Sequence, residues 1–313
     1  MAQDNPKVSI VLPTYNGGSK YLRQSIDSCL GQTYGNIELV VIDDCSTDAT
    51  PQLVRSYTDP RLRYIRNATN QRLPRSLNIG FKNATGEFLT WTSDDNFYEP
   101  QAIQKMVSYL LAQPADFVYC DIYAVKEGAV STTERWFLAE PETLKDANCV
   151  MACFMYRRKV RDTVGEYDPD SELIEDYDYW VRVSKHFRLH HLKEPLYHYR
   201  YHEQSLCGSR YKEIQVLEHL FKLKYGFMSP DDANWSLRQL KAQRDGGAFW
   251  QKLLNRLFWK KRIERILKEF LQGNIPLPQA RSTLHQIVNG AQQGKADDFN
   301  FLIQRIGSNF KHE

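Results

Sequence analysis

The sequence predicts an α/β protein with a mostly parallel central sheet, helices on both of its faces, and an all-helical C-terminal region. Three observations carry that prediction. Val8–Leu12 and Glu38–Ile42 are near-continuous apolar, β-branched runs of the kind buried on both faces of a parallel sheet. Strand and helix patterns alternate from there to about Tyr119, which implies repeated strand–helix–strand crossovers. From about Arg210 onward the apolar spacing is purely helical.

Taken in order, Ser19 is placed to cap a helix running to about Leu30. Asp48 can cap a second, with Pro51 in its first turn. Leu62–Ile65 reads as a third strand, Pro74–Lys82 as a helix and Glu87–Thr90 as a fourth strand. A helix through Ile103–Leu111 and a strand at Phe117–Tyr119 follow. The stretch 101–208 carries fewer regular signals, and a boundary near 208 separates residues 1–208 from a helical region at 209–313. Ser229-Pro230, Gly246-Gly247, Pro276 and Pro278 punctuate that region.

With 313 residues the chain is long enough for one large domain and a smaller appendage. Its net charge is only +3, without a concentrated basic face, which speaks against a nucleic-acid partner. Six cysteines are scattered without CxxC spacing, so reduced thiols are expected rather than a disulfide scaffold or zinc site. Met1–Lys7 is polar, and no apolar run approaches the ~20 residues of a membrane span. A cytoplasmic chain, soluble or peripheral to the inner face of a membrane, is the expectation.

Ligands of such sheets bind beyond the carboxyl ends of the strands, and the polar residues collect there. Pro13-Thr14-Tyr15-Asn16-Gly17-Gly18 follows the first strand, Asp43-Asp44-Cys45-Ser46-Thr47-Asp48 the second, and Ser93-Asp94-Asp95-Asn96 the fourth. Acids, an aromatic ring and flexible glycines on one rim suit a nucleotide with a metal. Group transfer from a nucleoside diphosphate to a hydroxyl sets two tasks. The diphosphate leaving group is stabilised by a hard divalent cation on carboxylates. The hydroxyl needs a base within hydrogen-bond reach, its pKa raised by a partly dry site.

Asp94 and Asp95 suit the metal; alternatively, adjacent acids simply begin a helix. Asp44 can accept the N3–H of a pyrimidine with Tyr15 stacked on the ring, whereas Asp43 reads as a turn residue bonding its own backbone. Glu175-Asp176 with Trp180 and Arg182 is the candidate base region. Trp180, one turn on, is expected to pack inward and anchor Asp176. A helix N-terminus by itself lowers the pKa of Asp176, so burial or a nearby diphosphate must offset it; the bland alternative is an ordinary helix cap. Arg200 can supply charge, and His202 can complete a metal shell or be structural.

Taken together these motifs resemble the family-2 glycosyltransferases of the GT-A fold. Val8–Asn16 is similar to that family's opening strand and base-stacking loop, and Glu38–Asp48 to its second-strand signature. Asn70 through Gly80, Gly86-Glu87-Phe88-Leu89, Asp94-Asp95, Glu175-Asp176 with Trp180 and Arg182, and Tyr199–His202 follow in the family's order, over about residues 6–208. The resemblance implies a nucleotide-binding half at about 1–100 and an acceptor half at 101–208. It implies an inverting displacement with Mn2+ or Mg2+ and a UDP-sugar or related donor, on a saccharide or lipid-linked acceptor in cell-surface polysaccharide, lipopolysaccharide or glycoconjugate synthesis. Pro13, Thr14, Tyr15, Asn16, Asp44 and Asp94 then line the nucleotide, Asp94 and Asp95 match the metal motif, His202 falls on the closing histidine, and Asp176 matches the base.

Two departures stand out. Thr92 occupies a place where an additional aspartate is usual, and Arg72 replaces a common glycine in the third loop, from which it can reach the diphosphate or stay solvated. The Gln-x-x-Arg-Trp pattern of processive synthases is absent, so single additions are expected. Phe249–Leu271 alternates apolar and basic residues at helical spacing. It suits an anionic membrane surface, a homodimer, or packing on the catalytic domain. Two other functions compete. A nucleotidyltransferase would carry a basic Gly-rich loop after the first strand, and Thr14–Gly18 has no arginine. A non-catalytic sugar-nucleotide-binding protein would not need Asp44, Asp94, Asp95 and Asp176 together.

Overall fold

The computed structural model describes residues 5–18, 20–127, 134–244 and 263–289. The chain divides after Tyr201 into two compact units, somewhat ahead of the boundary expected near 208.

In the first unit, β1 (Val8–Thr14), β2 (Ile37–Asp43), β3 (Leu62–Arg66) and β4 (Phe88–Trp91) are parallel, in the order β3-β2-β1-β4. Every residue of β1, β2 and β4 is buried, which is what their apolar runs require. Helices α1 (Leu22–Leu30), α2 (Thr50–Arg55) and α3 (Arg72–Asn83) connect them. The buried positions Leu22, Ser25, Ile26 and Cys29 of α1 form one stripe at helical spacing. α3 starts at Arg72, two residues before the expected Pro74; a proline fits there because first-turn N–H groups have no intrahelical partner. Ser19, the expected cap of α1, lies outside the described residues.

Past β4 the sheet turns mixed. β8 (Phe154–Arg157) lies antiparallel to β4, and β6 (Phe117–Lys126) antiparallel to β8. β9 (Leu189–Tyr201) then runs parallel to β6, and β5 (Phe97–Tyr98) antiparallel to β9. β7 (Glu134–Trp136) adds to β6. The expected parallel order therefore holds without interruption only over β1–β4. The rest escapes sequence pattern because β5, β7 and β8 are too short to show alternation. α4 (Ala102–Ala112), α5 (Arg158–Val164) and α6 (Glu175–Ser184) complete this unit.

β1 and β4 part at Pro13. Val11 accepts the N–H of Thr92 at 3.0 Å, the last step of their ladder, and the next β1 residue facing β4 is Pro13, which has no N–H to continue it. The strands separate where connections leave β1 toward β2 on one side and β4 on the other, the switch point at which open α/β sheets hold ligands.

The second unit is helical: α7 (Leu206–Ser209), α8 (Tyr211–Lys224), α9 (Pro230–Arg244), α10 (263–271) and α11 (Leu277–Asn289). Val216, Leu220, Leu237, Ile263, Leu267 and Leu284 meet in its core. For the expected membrane or dimer surface at 249–271, residues 249–262 lie outside the described residues. Over 263–271, Ile263, Ile266 and Leu267 are buried in this unit's own core, while Leu271 stays exposed. No helix among the described residues is long and apolar enough to cross a membrane.

Candidate active site

The loops after β1 and β2 are sewn together. Asp44 N–H donates to the Thr14 carbonyl at 2.9 Å, Asn16 N–H to Ser46 Oγ at 2.9 Å, and Thr47 N–H back to Asn16 Oδ1 at 2.8 Å. Gly18 N–H reaches both Asp48 Oδ2 (3.1 Å) and Thr50 Oγ1 (2.9 Å). These bonds fix the strand ends and leave the Tyr15 ring 53% exposed at the rim, an aromatic face free for stacking. Asp43 takes the structural role read for it: Oδ1 accepts from Ser46 N–H at 2.7 Å.

Asp44 faces the third loop. Its Oδ1 accepts from Asn67 Nδ2 (2.8 Å) and Gln71 N–H (2.7 Å), and its Oδ2 from Arg72 N–H (2.9 Å). Three donors leave one acceptor direction, on Oδ2. Arg72 itself has φ of 68°, the left-handed region a glycine enters freely and an arginine enters at a cost of about 1–2 kcal/mol. The chain thus keeps a glycine conformation without the glycine, held by the Asp44 carboxylate, and Arg72 is exposed.

Asp94 and Asp95 follow β4. Thr14 Oγ1 donates to Asp94 Oδ2 at 2.6 Å, tying this loop to the end of β1. Gly17 passes so closely that a Cβ on it would stand 2.3 Å from Asp94 Oδ2 and 2.7 Å from Thr14 Oγ1. Burial, then the neighbouring charge of Asp95, pushes the Asp94 carboxyl up to about 7. Thr92, where an acid was expected, is buried with its hydroxyl 2.7 Å from Tyr197 Oη.

Arg200, expected to supply charge, braces the loop. Its Nε donates to the Asp95 carbonyl (3.1 Å), its NH2 to Gln24 Oε1 (2.8 Å) and its backbone N–H to Asn96 Oδ1 (2.6 Å), with the guanidinium 4.1 Å from the Tyr21 ring centroid. His202 opens the second unit, where its carbonyl accepts from Ser205 N–H and Oγ. Among the described residues, no group of three or more His, Cys, Asp and Glu is arranged to hold a metal ion.

The second acid pair begins α6. Glu175 is buried, with Oε2 accepting Leu173 N–H at 2.7 Å, and burial followed by the charge of Asp176 pushes it up to about 8. Asp176 accepts Tyr177 N–H on Oδ1 (2.7 Å) and Asn148 Nδ2 on Oδ2 (2.8 Å). Burial raises its proton affinity against the pull of those donors, so here desolvation outweighs the helix terminus that would depress it. Trp180 packs inward as expected, 4.4 Å from the Phe154 ring and 5.1 Å from Phe117. Arg182 binds Asp178 and the carbonyls of Val164 and Glu166, so it staples α6 to the turn after α5. The charge of Asp176 is felt at the Tyr167 hydroxyl, and that hydroxyl accepts Trp91 Nε1–H at 3.1 Å, three residues before Asp94.

Five described non-glycine residues have positive φ: Asn16, Cys45, Arg72, Met151 and Leu173. Three lie in the rim loops, and the other two flank Asn148 and Asp176. Strain of this kind persists where the surrounding structure enforces it, most often around functional groups.

The sequence matches the family described as glycosyl transferase family 2 over residues 9–165. The chain belongs to that family. It is 28% identical over 233 residues to the uncharacterized glycosyltransferase RT0329 of Rickettsia typhi, covering 69% of this chain and 71% of that one. The structure of S. aureus TarS 1–349 in complex with UDP-GlcNAc superposes with a TM-score of 0.58 at 17% identity, over 91% of this chain and 92% of that 1–349 chain. The mannosyltransferase PcManGT from Pyrobaculum calidifontis, in complex with GDP-Man and Mn2+, gives 0.52 at 18% identity, over 97% and 81%. This glycosyltransferase therefore has the GT-A fold, in which the Pro13 split and the loops around it form the candidate site.

Proposed function

We propose that this glycosyltransferase moves a single hexose from a UDP-sugar to an acceptor hydroxyl, with inversion at the anomeric carbon. The acceptor is a saccharide or lipid-linked chain of cell-surface polysaccharide, lipopolysaccharide or glycoconjugate synthesis. The observation that carries the reading is the clustering of backbone strain at two places, the nucleotide rim and the Asp176 surroundings. The sugar-nucleotides in the TarS and PcManGT complexes support the donor class.

Each residue then has a task. Tyr15 stacks on the base, and the remaining acceptor direction of Asp44 Oδ2 receives its N3–H. Asp95 and Asp94 suit Mn2+ or Mg2+: they are adjacent hard oxygen ligands, and the electrostatic cost that pushes Asp94 up is one a divalent cation removes. Such an ion draws its other ligands from phosphate and water, so two carboxylates suffice. When bound, it offsets the negative charge growing on the departing diphosphate. Asp176 takes the proton of the incoming hydroxyl. The anomeric configuration of the product tests this reading: a double displacement would retain the donor's configuration, and single displacement inverts it.

Arg72 is proposed to contact the diphosphate, which accounts for a strained arginine where glycine is at ease. Arg72→Gly should then move two quantities in opposite directions. Stability should rise by up to about 1 kcal/mol, the relief of strain less the extra unfolded-state entropy of glycine. Donor binding should weaken by roughly 1.5–3 kcal/mol, the worth of a charge-assisted hydrogen bond. Chemical denaturation and calorimetric titration with the UDP-sugar measure the two, and unchanged affinity would return Arg72 to solvent.

A further inference from the structure

Asp176 is not held by its own helix alone. Its Oδ1 takes the N–H of Tyr177, and its Oδ2 takes Nδ2 of Asn148, from the irregular segment before β8. Asn148 is itself oriented: its Oδ1 accepts Val150 N–H at 3.2 Å and Met151 N–H at 3.3 Å. Two main-chain donors on the oxygen side leave the NH2 side as the only one able to face a carboxylate, so the network fixes the amide orientation. Met151, which closes that turn, has φ of 51°, and Leu173, three residues before Asp176, has φ of 82°. Both segments that meet at this bond are therefore kept in left-handed geometry by non-glycine residues.

We infer that Asn148 is a positioning residue for the base, holding one Asp176 oxygen so that the carboxylate presents a fixed face to the acceptor hydroxyl. The inference rests on Asp176 being the base. The groups that bear on the same carboxylate are few. Glu175 adjoins it on α6 and feels its charge, Glu172 bears in turn on Glu175, and the Tyr167 hydroxyl lies within range of the Asp176 charge. Burial opposes its ionisation, and the Tyr177 N–H, the Asn148 amide and its own main-chain N–H favour it. Of these donors only Asn148 can be changed without altering the main chain of α6.

Two variants separate positioning from scaffolding. Asn148→Asp keeps the oxygen that caps Val150 and Met151 but replaces the donor with a second carboxylate; Asn148→Ala removes both. The pH dependence of kcat and the donor KM are measured on the full chain with a UDP-sugar, alongside the melting temperature. Positioning predicts that in both variants kcat at neutral pH falls about 10- to 100-fold. The acidic limb of the profile should also move to higher pH by about one unit or more, because a carboxylate that loses a donor holds its proton more tightly. Donor KM should stay near its original value. If Asn148→Asp retains the original limb and rate while Asn148→Ala only melts earlier, Asn148 is scaffolding and the inference is overturned. Failure of the underlying reading shows elsewhere, as near-normal transfer by Asp176→Asn.

Discussion

Asp176→Asn is expected to lower kcat by about 10²- to 10⁴-fold, the usual worth of a positioned general base, with donor affinity unchanged. The amide has nearly the shape of the carboxylate, so Trp180 still packs on Phe154 and Phe117 and α6 keeps its place. What is lost is the carboxylate proposed to take the acceptor's proton. Glu175 does not stand in for it. It is buried, and its Oε2 is turned back onto Leu173 N–H. In the variant Glu175 also loses its charged neighbour, so its own proton affinity falls from about 8 toward the ordinary range. Single-turnover transfer compared with equilibrium donor titration separates chemistry from binding. Near-normal turnover would remove Asp176 from the reaction.

Gly17→Ala is expected to cripple the nucleotide rim. The added methyl would stand 2.3 Å from Asp94 Oδ2 and 2.7 Å from Thr14 Oγ1, so either the carboxylate or the loop must move. The 2.6 Å bond between those two side chains lies directly in the way. Overpacking of this sort costs about 1–3 kcal/mol of stability. Metal-dependent donor binding should suffer more, by tenfold or greater, because Asp94 is displaced from the side of Asp95 and Tyr15 shifts with its loop. Calorimetry with the UDP-sugar and Mn2+ reads the binding, and a melting curve reads the fold. An affinity equal to that of the unaltered protein would mean that Asp94 swings aside without consequence, and the metal assignment would lose its support.

Much of the first half of this site was legible because burial leaves a pattern. β1 and β2 are runs that only a two-sided sheet accommodates, and once they are placed, the acids behind them must share a rim. The place of Trp180 followed in the same way from helical spacing. The backbone of Arg72 was not legible: the family resemblance marked it as standing in place of a common glycine, but only the structure shows its positive φ and its N–H held by Asp44. The bracing contacts of Arg200 were not legible, since a charged side chain gives no sign in sequence of which neighbours' polar groups it meets. Asn148 was not read at all. It stands in an irregular stretch, 28 positions from the acid it contacts, and no periodicity links the two. β9 was seen only at its closing Tyr199–His202 motif. Its thirteen residues are mostly polar or aromatic, and a register shift at Asp121 breaks the alternation that would reveal a strand.

The stereochemistry of transfer tests the central claim most directly. Unaltered enzyme is supplied with Mn2+, a UDP-sugar of known anomeric configuration and a simple saccharide acceptor, and the product's anomeric proton is read by NMR before and after the Asp176→Asn change. A single displacement driven by Asp176 predicts a product of inverted configuration, formed rapidly by the unaltered enzyme and at most at a trace rate by the variant. A product that retains the donor's configuration, or one formed equally fast without the Asp176 carboxylate, would contradict it.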